Sequence, residues 1–138
     1  QWAIQMDLPI NIHSRNSTDE VIAILQEMKH PSLRGIFHCF SGNAAQAKQV
    51  TELGFYLGIG GVLTYKKSEL PDAIADINLA HLVLETDAPY LSPVPYRGKR
   101  NESAYIVNIA EKLAELKNTT VEQVANITTE NSIKIFGI

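Results

Sequence analysis

Short apolar runs alternate with longer amphipathic stretches along the whole chain. Four short runs have the length and the β-branched or aromatic content of buried strands, and they read LPINIH, GIFHCF, FYLGIG and HLVLETD. They end at His13, near His38, at about Gly58 and at Asp87. Because strands that alternate with helices pair in parallel through right-handed crossovers, the pattern predicts an α/β fold with a parallel sheet.

Helices are predicted after these runs from apolar spacing and from residues suited to helix ends. The expected helix starts are Ser17 in a capping box with Glu20, Asn43, Ser68 followed by Pro71, Asn101, and Thr120 in a capping box with Gln123. Gly54 is expected just beyond the second helix, and the last helix is expected to reach about Phe136. The chain is therefore predicted to contain four parallel βα units followed by a C-terminal helix.

The ends of the apolar runs recur at about the interval of the βα units in a (β/α)8 barrel, where each unit has roughly 30 residues. Four such units make half of a TIM barrel. The first residues, QWAIQMDLPINIHSR, begin in what resembles the end of an amphipathic helix. We therefore expect residues 1–138 to form one partial domain, a fragment of a longer barrel protein.

Composition narrows the class of protein. The chain has 138 residues, which fits one domain, and its 45% hydrophobic content is ordinary for a globular protein. No apolar run approaches the roughly 18 residues of a membrane span, and no signal-peptide pattern is present at the start. The single cysteine, Cys39, is compatible with a reducing compartment, so we expect a cytoplasmic protein without a membrane partner. A net charge of -3 gives no general attraction to nucleic acid, so any polyanion site has to be local.

Three polar residues end predicted strands, namely His13, His38 and Asp87. Functional groups lie at the carboxyl ends of strands both in open α/β sheets and in barrels. Two imidazoles and a carboxylate suit zinc, manganese or iron. A single histidine at a strand end is more often structural than a ligand, but three candidates at strand ends together favour a metal site.

Glu85 lies two positions before Asp87 on the fourth predicted strand, so both side chains point to the same face. Glu85 either orients a metal ligand or a water molecule, or it is a buried carboxylate paired with Arg15 or another cation. The residues alone leave both roles open. The remaining histidines, His30 at a helix end and His81 before the fourth strand, are expected to be structural.

The motifs INIHSR, GIFHCFSG, FYLGIGG and ETDAPYLSPVPYRGKRN follow one another in this order. In sequence and spacing they resemble the successive motifs of the TatD-related metal-dependent deoxyribonucleases, a family of the amidohydrolase superfamily. The resemblance covers essentially the whole chain, but only the C-terminal half of the family's barrel. It implies a TIM-barrel fold and, for the parent protein, an enzyme that hydrolyses phosphodiester bonds of DNA, in single strands or at ends.

The same resemblance implies site residues and cofactors. His13 and His38 match the family's two later ligand histidines, and Asp87 matches the aspartate that touches the metal and the attacking water. The family's His-x-His pair and its glutamate ligand would precede Gln1. The implied cofactors are divalent metal ions, Mg, Mn or Zn, and Asp87 is the implied catalytic residue because it accepts the proton of the water.

Substrate contacts are expected from residues near the predicted strand ends. The candidates are Arg15, Arg97, Asn101 and Tyr90. Arg97 belongs with Lys99 and Arg100 to the densest basic cluster, and arginine suits phosphate recognition, although a solvated loop would have the same composition. Tyr90, like Tyr96, either stacks on bases or packs the loop. The glycines after the third strand are expected to let the backbone approach a ligand or turn tightly, and they are Gly58, Gly60 and Gly61.

Two other functions remain open from the sequence. The same metal site could act on an ester or an amide such as aminoacyl-tRNA, since fold and metal do not fix the substrate. Alternatively, the 138-residue chain is not itself a catalyst. Its two unpaired sheet edges would then favour self-association, or complementation by the missing N-terminal half.

Overall fold

The computed structural model describes residues 1–138 and contains one sheet of four parallel strands. The strands lie in the order β1-β2-β3-β4, and their bounds are Ile10–His13, Gly35–His38, Tyr56–Ile59 and Leu82–Leu84. Parallel pairing in sequence order requires a crossover between successive strands, which the intervening helices provide. The predicted α/β class and the four parallel strands are confirmed.

Six helices surround the sheet. They are α1 (Trp2–Gln5), α2 (Thr18–Glu27), α3 (Ala44–Glu52), α4 (Leu70–Ile74), α5 (Ile106–Lys117) and α6 (Val121–Phe136). Short 3-10 turns lie at Gly61–Thr64, Leu79–His81 and Ser103–Tyr105. None of the helices is both long enough and apolar enough to cross a membrane.

The predicted helix ends are confirmed in part. Asn43 accepts a hydrogen bond from the Gln46 amide and forms a complete capping box with that residue, and Thr120 accepts one from Gln123. Ser17 does begin α2, but the predicted capping box with Glu20 is wrong because the Ser17 hydroxyl lies 3.2 Å from Ser14 Oγ instead. The end of α6 at Phe136 agrees with the prediction, with Gly137 in the left-handed conformation that favours glycine.

The hydrophobic core lies mainly between the sheet and its helices. Phe37, Leu57 and Leu82 of the strands belong to the same core cluster as Val50 of α3 and Leu113 of α5. Neighbouring strand residues point to the opposite face because side chains alternate along a strand. There Ile36, Tyr56 and Val83 form a smaller cluster with Ile135, which lies near the end of α6.

The strand register brings the carboxyl ends of the strands to one edge of the molecule. His13 of β1 is paired with His38 of β2, and Ile59 of β3 is paired with Leu84 of β4. The sheet does not close on itself, so β1 and β4 are edge strands. The residues that follow β4, Glu85 and Asp87, therefore lie on the same edge as the two histidines.

Candidate metal centre

The site is built around His38, the last residue of β2. Its ring centroid lies 5.9 Å from that of His13, the partner residue at the end of β1. The two rings are side by side because the parallel register pairs the two strand ends directly. His38 is half-buried, whereas His13 is exposed at the open edge of the sheet.

Glu85 holds one side of the His38 imidazole. Its Oε1 lies 3.0 Å from Nδ1 of His38 and also accepts a hydrogen bond from the backbone N–H of Cys39. Cys39 has a φ of 47°, in the left-handed region that non-glycine residues seldom adopt. This turn directly after β2 brings the backbone N–H and the imidazole to the same carboxylate oxygen. Of the two roles left open for Glu85, the contacts support the orienting one, and they show no pairing with Arg15.

Gly58 of β3 makes room for this carboxylate. A Cβ on Gly58 would lie 2.5 Å from Oε2 and 2.7 Å from Cδ of Glu85, well inside van der Waals contact. The glycine was expected to admit a ligand or a tight turn, and the group that it admits is the side chain of Glu85. Gly61 does serve a close backbone approach, since its Cβ would lie 2.1 Å from the carbonyl oxygen of Leu91.

Asp87 contacts the other side of the His38 imidazole, with Oδ1 2.9 Å from Nε2. A neutral imidazole carries one N–H and therefore donates to only one of two acceptors. The contacts to Glu85 and Asp87 are satisfied together only if His38 carries two protons or if a cation takes the place of the proton at Nε2. When Nδ1–H donates its hydrogen bond to Glu85, the Nε2 lone pair of His38 is directed toward a position next to the Asp87 carboxylate.

Burial and the neighbouring acids also affect two titrating groups. Burial raises the pKa of Glu85, while the Cys39 N–H and His38 lower it and Asp87 raises it. The pKa of the Cys39 thiol is raised to about 12, chiefly by burial and then by its hydrogen bond to Asp87. Because the thiolate is the reactive form, Cys39 contributes its backbone N–H to the site rather than a nucleophile.

The donor chemistry fits a divalent ion, although the side chains of this chain do not surround one. Nitrogen from His38 and oxygen from Asp87 are brought together, with a carboxylate behind the imidazole, as in many zinc and manganese sites. His13 lies beside them, yet no group of three or more His, Cys, Asp or Glu side chains has the arrangement of a metal site. The predicted ligands His13, His38 and Asp87 thus lie at one edge without forming a complete coordination shell.

The predicted substrate residues differ in their surroundings. Arg15 is exposed and has no ion pair, and Tyr90 has 73% of its surface exposed. Asn101 is only 2% exposed, and its side chain donates to the Tyr90 carbonyl and accepts from the Glu102 N–H. Its amide therefore serves the loop rather than a ligand. Nor does Asn101 cap the following helix, because α5 begins at Ile106 after a 3-10 turn.

The fold adds one residue that the sequence interpretation missed. Tyr65 follows the 3-10 turn after β3, and the guanidinium of Arg97 lies 4.4 Å from the centre of its ring. The pKa of Tyr65 is raised above its ordinary value, chiefly by burial; Arg97 lowers the pKa and Cys39 adds a smaller increase. Tyr96 packs differently, stacked on Tyr105 at 3.9 Å, which favours the packing role left open for it. The only sequence signal for Tyr65 was its position beyond the end of the third apolar run.

Known proteins are similar to this chain in sequence and in fold. The family model for TatD-related DNases matches residues 1–137. The uncharacterized metal-dependent hydrolase YabD of Bacillus subtilis is 44% identical over 137 residues, which cover 99% of this chain and 54% of YabD. The uncharacterized metal-dependent hydrolase YcfH of Escherichia coli K12 is 38% identical over 135 residues, covering 97% of this chain and 51% of YcfH.

A solved structure agrees with these sequence matches. YJJV, a TatD homologue from Escherichia coli K12, superposes with a TM-score of 0.91 and 32% identity, covering 99% of this chain and 52% of YJJV. The chain spans about half the length of the curated relatives it matches. The match to the family model over nearly every residue, together with these relatives, shows that the chain belongs to the TatD-related DNase family.

Proposed function

We propose that this chain carries the C-terminal part of the catalytic centre of a metal-dependent deoxyribonuclease. In this proposal His13, His38 and Asp87 bind divalent metal, and residues of the other half of a TIM barrel complete the ligand set. The observation that carries the proposal is the His38 imidazole, which lies between the carboxylates of Glu85 and Asp87 at 3.0 and 2.9 Å. The membership of the chain in the TatD-related family supports the choice of reaction.

The chemistry follows from the types of group at the strand ends. A divalent ion supplies Lewis acidity, which lowers the pKa of water and neutralises charge on the phosphoryl oxygens. Glu85 fixes the imidazole of His38 by accepting a hydrogen bond from its Nδ1–H, which leaves Nε2 for coordination. Asp87 accepts the proton of the attacking water, because its carboxylate lies beside Nε2 of His38 at the edge where the strands end.

The proposed substrate is DNA, as single strands or at ends. Arg15 and Arg97 are exposed cations without an ion pair, so their guanidinium groups remain available for phosphate oxygens. Tyr90 offers an exposed ring that suits base stacking. Asn101 supports this surface indirectly, because its buried amide binds the Tyr90 carbonyl.

Replacing His38 tests the proposal. The chain is combined with the N-terminal half of a relative's barrel and saturated with Mn²⁺, Mg²⁺ or Zn²⁺. Bound metal is then measured by elemental analysis, and cleavage of an end-labelled single-stranded oligonucleotide is followed. His38→Ala is expected to lose metal and cleavage together. His30→Ala is the matched control, since His30 is exposed and its Nδ1 accepts only from the Ser32 N–H. A His38→Ala protein with full metal content and activity would contradict the proposal. Aminoacyl esters are assayed alongside the oligonucleotide, and hydrolysis of the esters without cleavage of DNA would contradict DNA as the substrate.

The open edges of the sheet favour a second proposal, that the chain associates through them. An apolar groove of about 230 Å³ lies beside β1 and α2, with Ile12 and Ile24 in its lining. Another groove of about 360 Å³ lies beside β4, α5 and α6, with Leu84 and Val107 in its lining. Light scattering on the purified chain tests this idea, because a monomer at all concentrations would contradict self-association. Complementation is tested by adding the N-terminal half of a relative's barrel.

A further inference from the structure

The guanidinium of Arg97 packs against an aromatic ring, and its N–H groups donate no hydrogen bond to the protein. It lies 4.4 Å from the centre of the Tyr65 ring, a distance at which a cation is attracted to the aromatic face. Arg97 is exposed and takes part in none of the side-chain hydrogen bonds or ion pairs of the chain. Its donors are therefore free for an anionic ligand, while its position is fixed by stacking. We call these two side chains the Tyr65–Arg97 platform.

The Tyr65 ring is itself anchored to the loop that carries Arg97. Its hydroxyl donates to the carbonyl oxygen of Ser92 at 3.1 Å, and Ser92 is 4% exposed. The Ser92 hydroxyl in turn donates to the Lys99 carbonyl at 2.5 Å. Thr64, next to Tyr65, accepts a hydrogen bond from the backbone N–H of Val94 at 2.8 Å. These bonds join the loop after β3 to the loop after β4, so the platform is rigid before a ligand arrives.

The surroundings of the platform are basic although the chain as a whole is acidic. Four further cations flank it on the same two loops, and they are Lys66, Lys67, Lys99 and Arg100. All four are exposed, and none of them forms an ion pair. The chain nevertheless carries a net charge of -3. A local cluster of unpaired cations in such a chain indicates a site for a polyanion.

The platform lies close to the metal-ligand residues. Both loops begin at the carboxyl ends of strands β3 and β4, at the same edge of the sheet where β1 and β2 end in His13 and His38. Asp87 follows β4 and contacts His38 Nε2 at 2.9 Å, so the loop that carries Arg97 starts at this site. A chain with regularly repeated phosphates can therefore contact the metal centre and the platform at once, which a single phosphate ester cannot do.

We infer that the Tyr65–Arg97 platform binds a phosphate of an oligonucleotide other than the phosphate that is hydrolysed. This inference rests on the proposed nuclease function and assigns a second phosphate contact, away from the reacting phosphate, to named residues of the chain. A nucleic acid fits better than a lipid surface, because the 73% exposed ring of Tyr90 on the same loop suits an unstacked base. Tyr65 is a positioning residue, since it acts through Arg97.

The test measures binding of a fluorescein-labelled dT12 by anisotropy, in EDTA and over a series of salt concentrations. Removing the ring with Tyr65→Leu, or the charge with Arg97→Gln, is expected to weaken binding about tenfold, as expected for a charge-assisted hydrogen bond. Arg97→Gln also lowers the salt slope by about 0.7, the value for one phosphate contact on a single strand. Tyr65→Phe keeps the ring and is expected to bind within about twofold of the unmodified protein.

Two comparisons separate positioning from general damage. The double variant Tyr65→Leu with Arg97→Gln is expected to bind no more weakly than Arg97→Gln alone, because the two residues act as one unit. Lys134→Gln removes an exposed unpaired cation in the last turn of α6 and is the matched control, with binding unchanged. Circular dichroism and thermal unfolding verify the fold of each variant.

The outcomes distinguish the inference from the function on which it rests. Additive losses in the double variant, or unchanged dT12 binding by Tyr65→Leu, would overturn the inference even if the protein cleaves DNA. Binding to phosphatidylserine vesicles is measured for the same variants. If the substitutions weaken vesicle binding but leave dT12 binding unchanged, the inference is overturned in favour of a membrane surface. Ring-dependent dT12 binding without cleavage in any metal would support the platform while the proposed nuclease function fails.

Discussion

The carboxylate of Glu85 lies in the space that a side chain on Gly58 would fill, with Oε2 2.5 Å from the position of a Cβ. From there Oε1 accepts from the Cys39 N–H and lies 3.0 Å from Nδ1 of His38. The absence of a side chain on β3 therefore decides where a carboxylate after β4 can go. That carboxylate in turn decides how the imidazole at the end of β2 is oriented.

Gly58→Ala is expected to weaken divalent-metal binding about 10- to 100-fold, because in the proposed function His38 is a metal ligand and here it loses its hydrogen-bond partner. The new methyl group displaces the flexible end of Glu85 rather than the backbone, so His38 loses the acceptor at Nδ1. Isothermal titration calorimetry with Mn²⁺ measures the change.

Gly60→Ala is the matched control for this variant. Gly60 lies two residues further along the chain, with φ at -109°, and the only atom near its Cβ position is the Glu85 carbonyl oxygen at 3.9 Å. An alanine fits there without displacing the carboxylate. Equal metal affinities for the two alanine variants would show that Glu85 does not act through His38.

The sequence predicted well those features that depend on local patterns. Apolar runs of strand length predicted the four strands, and Asn43 and Thr120 predicted helix starts, because a cap depends on residues within one turn. The end of α6 was predicted for the same reason. The strand-end position of His38 followed from the pattern. The prediction that Glu85 and Asp87 lie on the fourth strand is wrong, because β4 ends at Leu84, but the side chains of His38 and Asp87 still approach to 2.9 Å.

Features that depend on distant residues were missed. The platform joins residues 65 and 97, and Glu85 meets the backbone at Cys39, so no window of the sequence contains either contact. Asn101 was misread for a similar reason, because its partner Tyr90 lies 11 positions earlier in an irregular loop. A short polar residue before a helix is typical of a cap, and here the competing loop contacts determine its role.

Asn101→Ala is expected to lower the free energy of unfolding by roughly 1–3 kcal/mol, because it removes a buried side chain that pairs with the Tyr90 carbonyl and the Glu102 N–H. Asn101→Asp is expected to be destabilising as well, since a carboxylate cannot donate to a carbonyl oxygen. Urea unfolding measures both variants. Unchanged stability combined with weaker oligonucleotide binding would instead assign the amide to the substrate.

Lys117→Met is expected to destabilise the protein by roughly 1–3 kcal/mol, because it removes a charged donor from several backbone acceptors. The ammonium at the end of α5 donates to three carbonyls at the end of α4 and just beyond it, those of Ile74, Ala75 and Ile77, at 2.5, 2.8 and 2.5 Å. Lys112→Met is the control, since Lys112 forms only an i,i+3 ion pair with Glu115. An equal effect of the two substitutions would contradict this role.

Stability should also depend on pH through Lys117. Burial lowers the pKa of its ammonium, while Asp76 raises it. Between the lowered value and the ordinary value near 10.5, the unfolded chain binds more protons than the folded protein, so stability rises as pH rises through this interval. Urea unfolding at several pH values above neutrality measures the slope. Lys117→Met is expected to reduce it, and an unchanged slope would assign the dependence to other groups.

Asn131→Ala is expected to cost roughly 1–3 kcal/mol of stability, because it leaves two carbonyls at and just before the start of β4 without their donor on α6. Asn131 is 8% exposed, and its Nδ2 donates to the carbonyls of Leu79 and Leu82 at 2.8 and 2.7 Å. Asn126→Ala, at an exposed position of the same helix, is the control and is expected to be neutral or slightly stabilising, since alanine is the better helix former. Urea unfolding of the two variants separates the effect of the buried hydrogen bonds from that of helix propensity. Equal stabilities would show that the hydrogen bonds from the Asn131 side chain do not stabilise the fold.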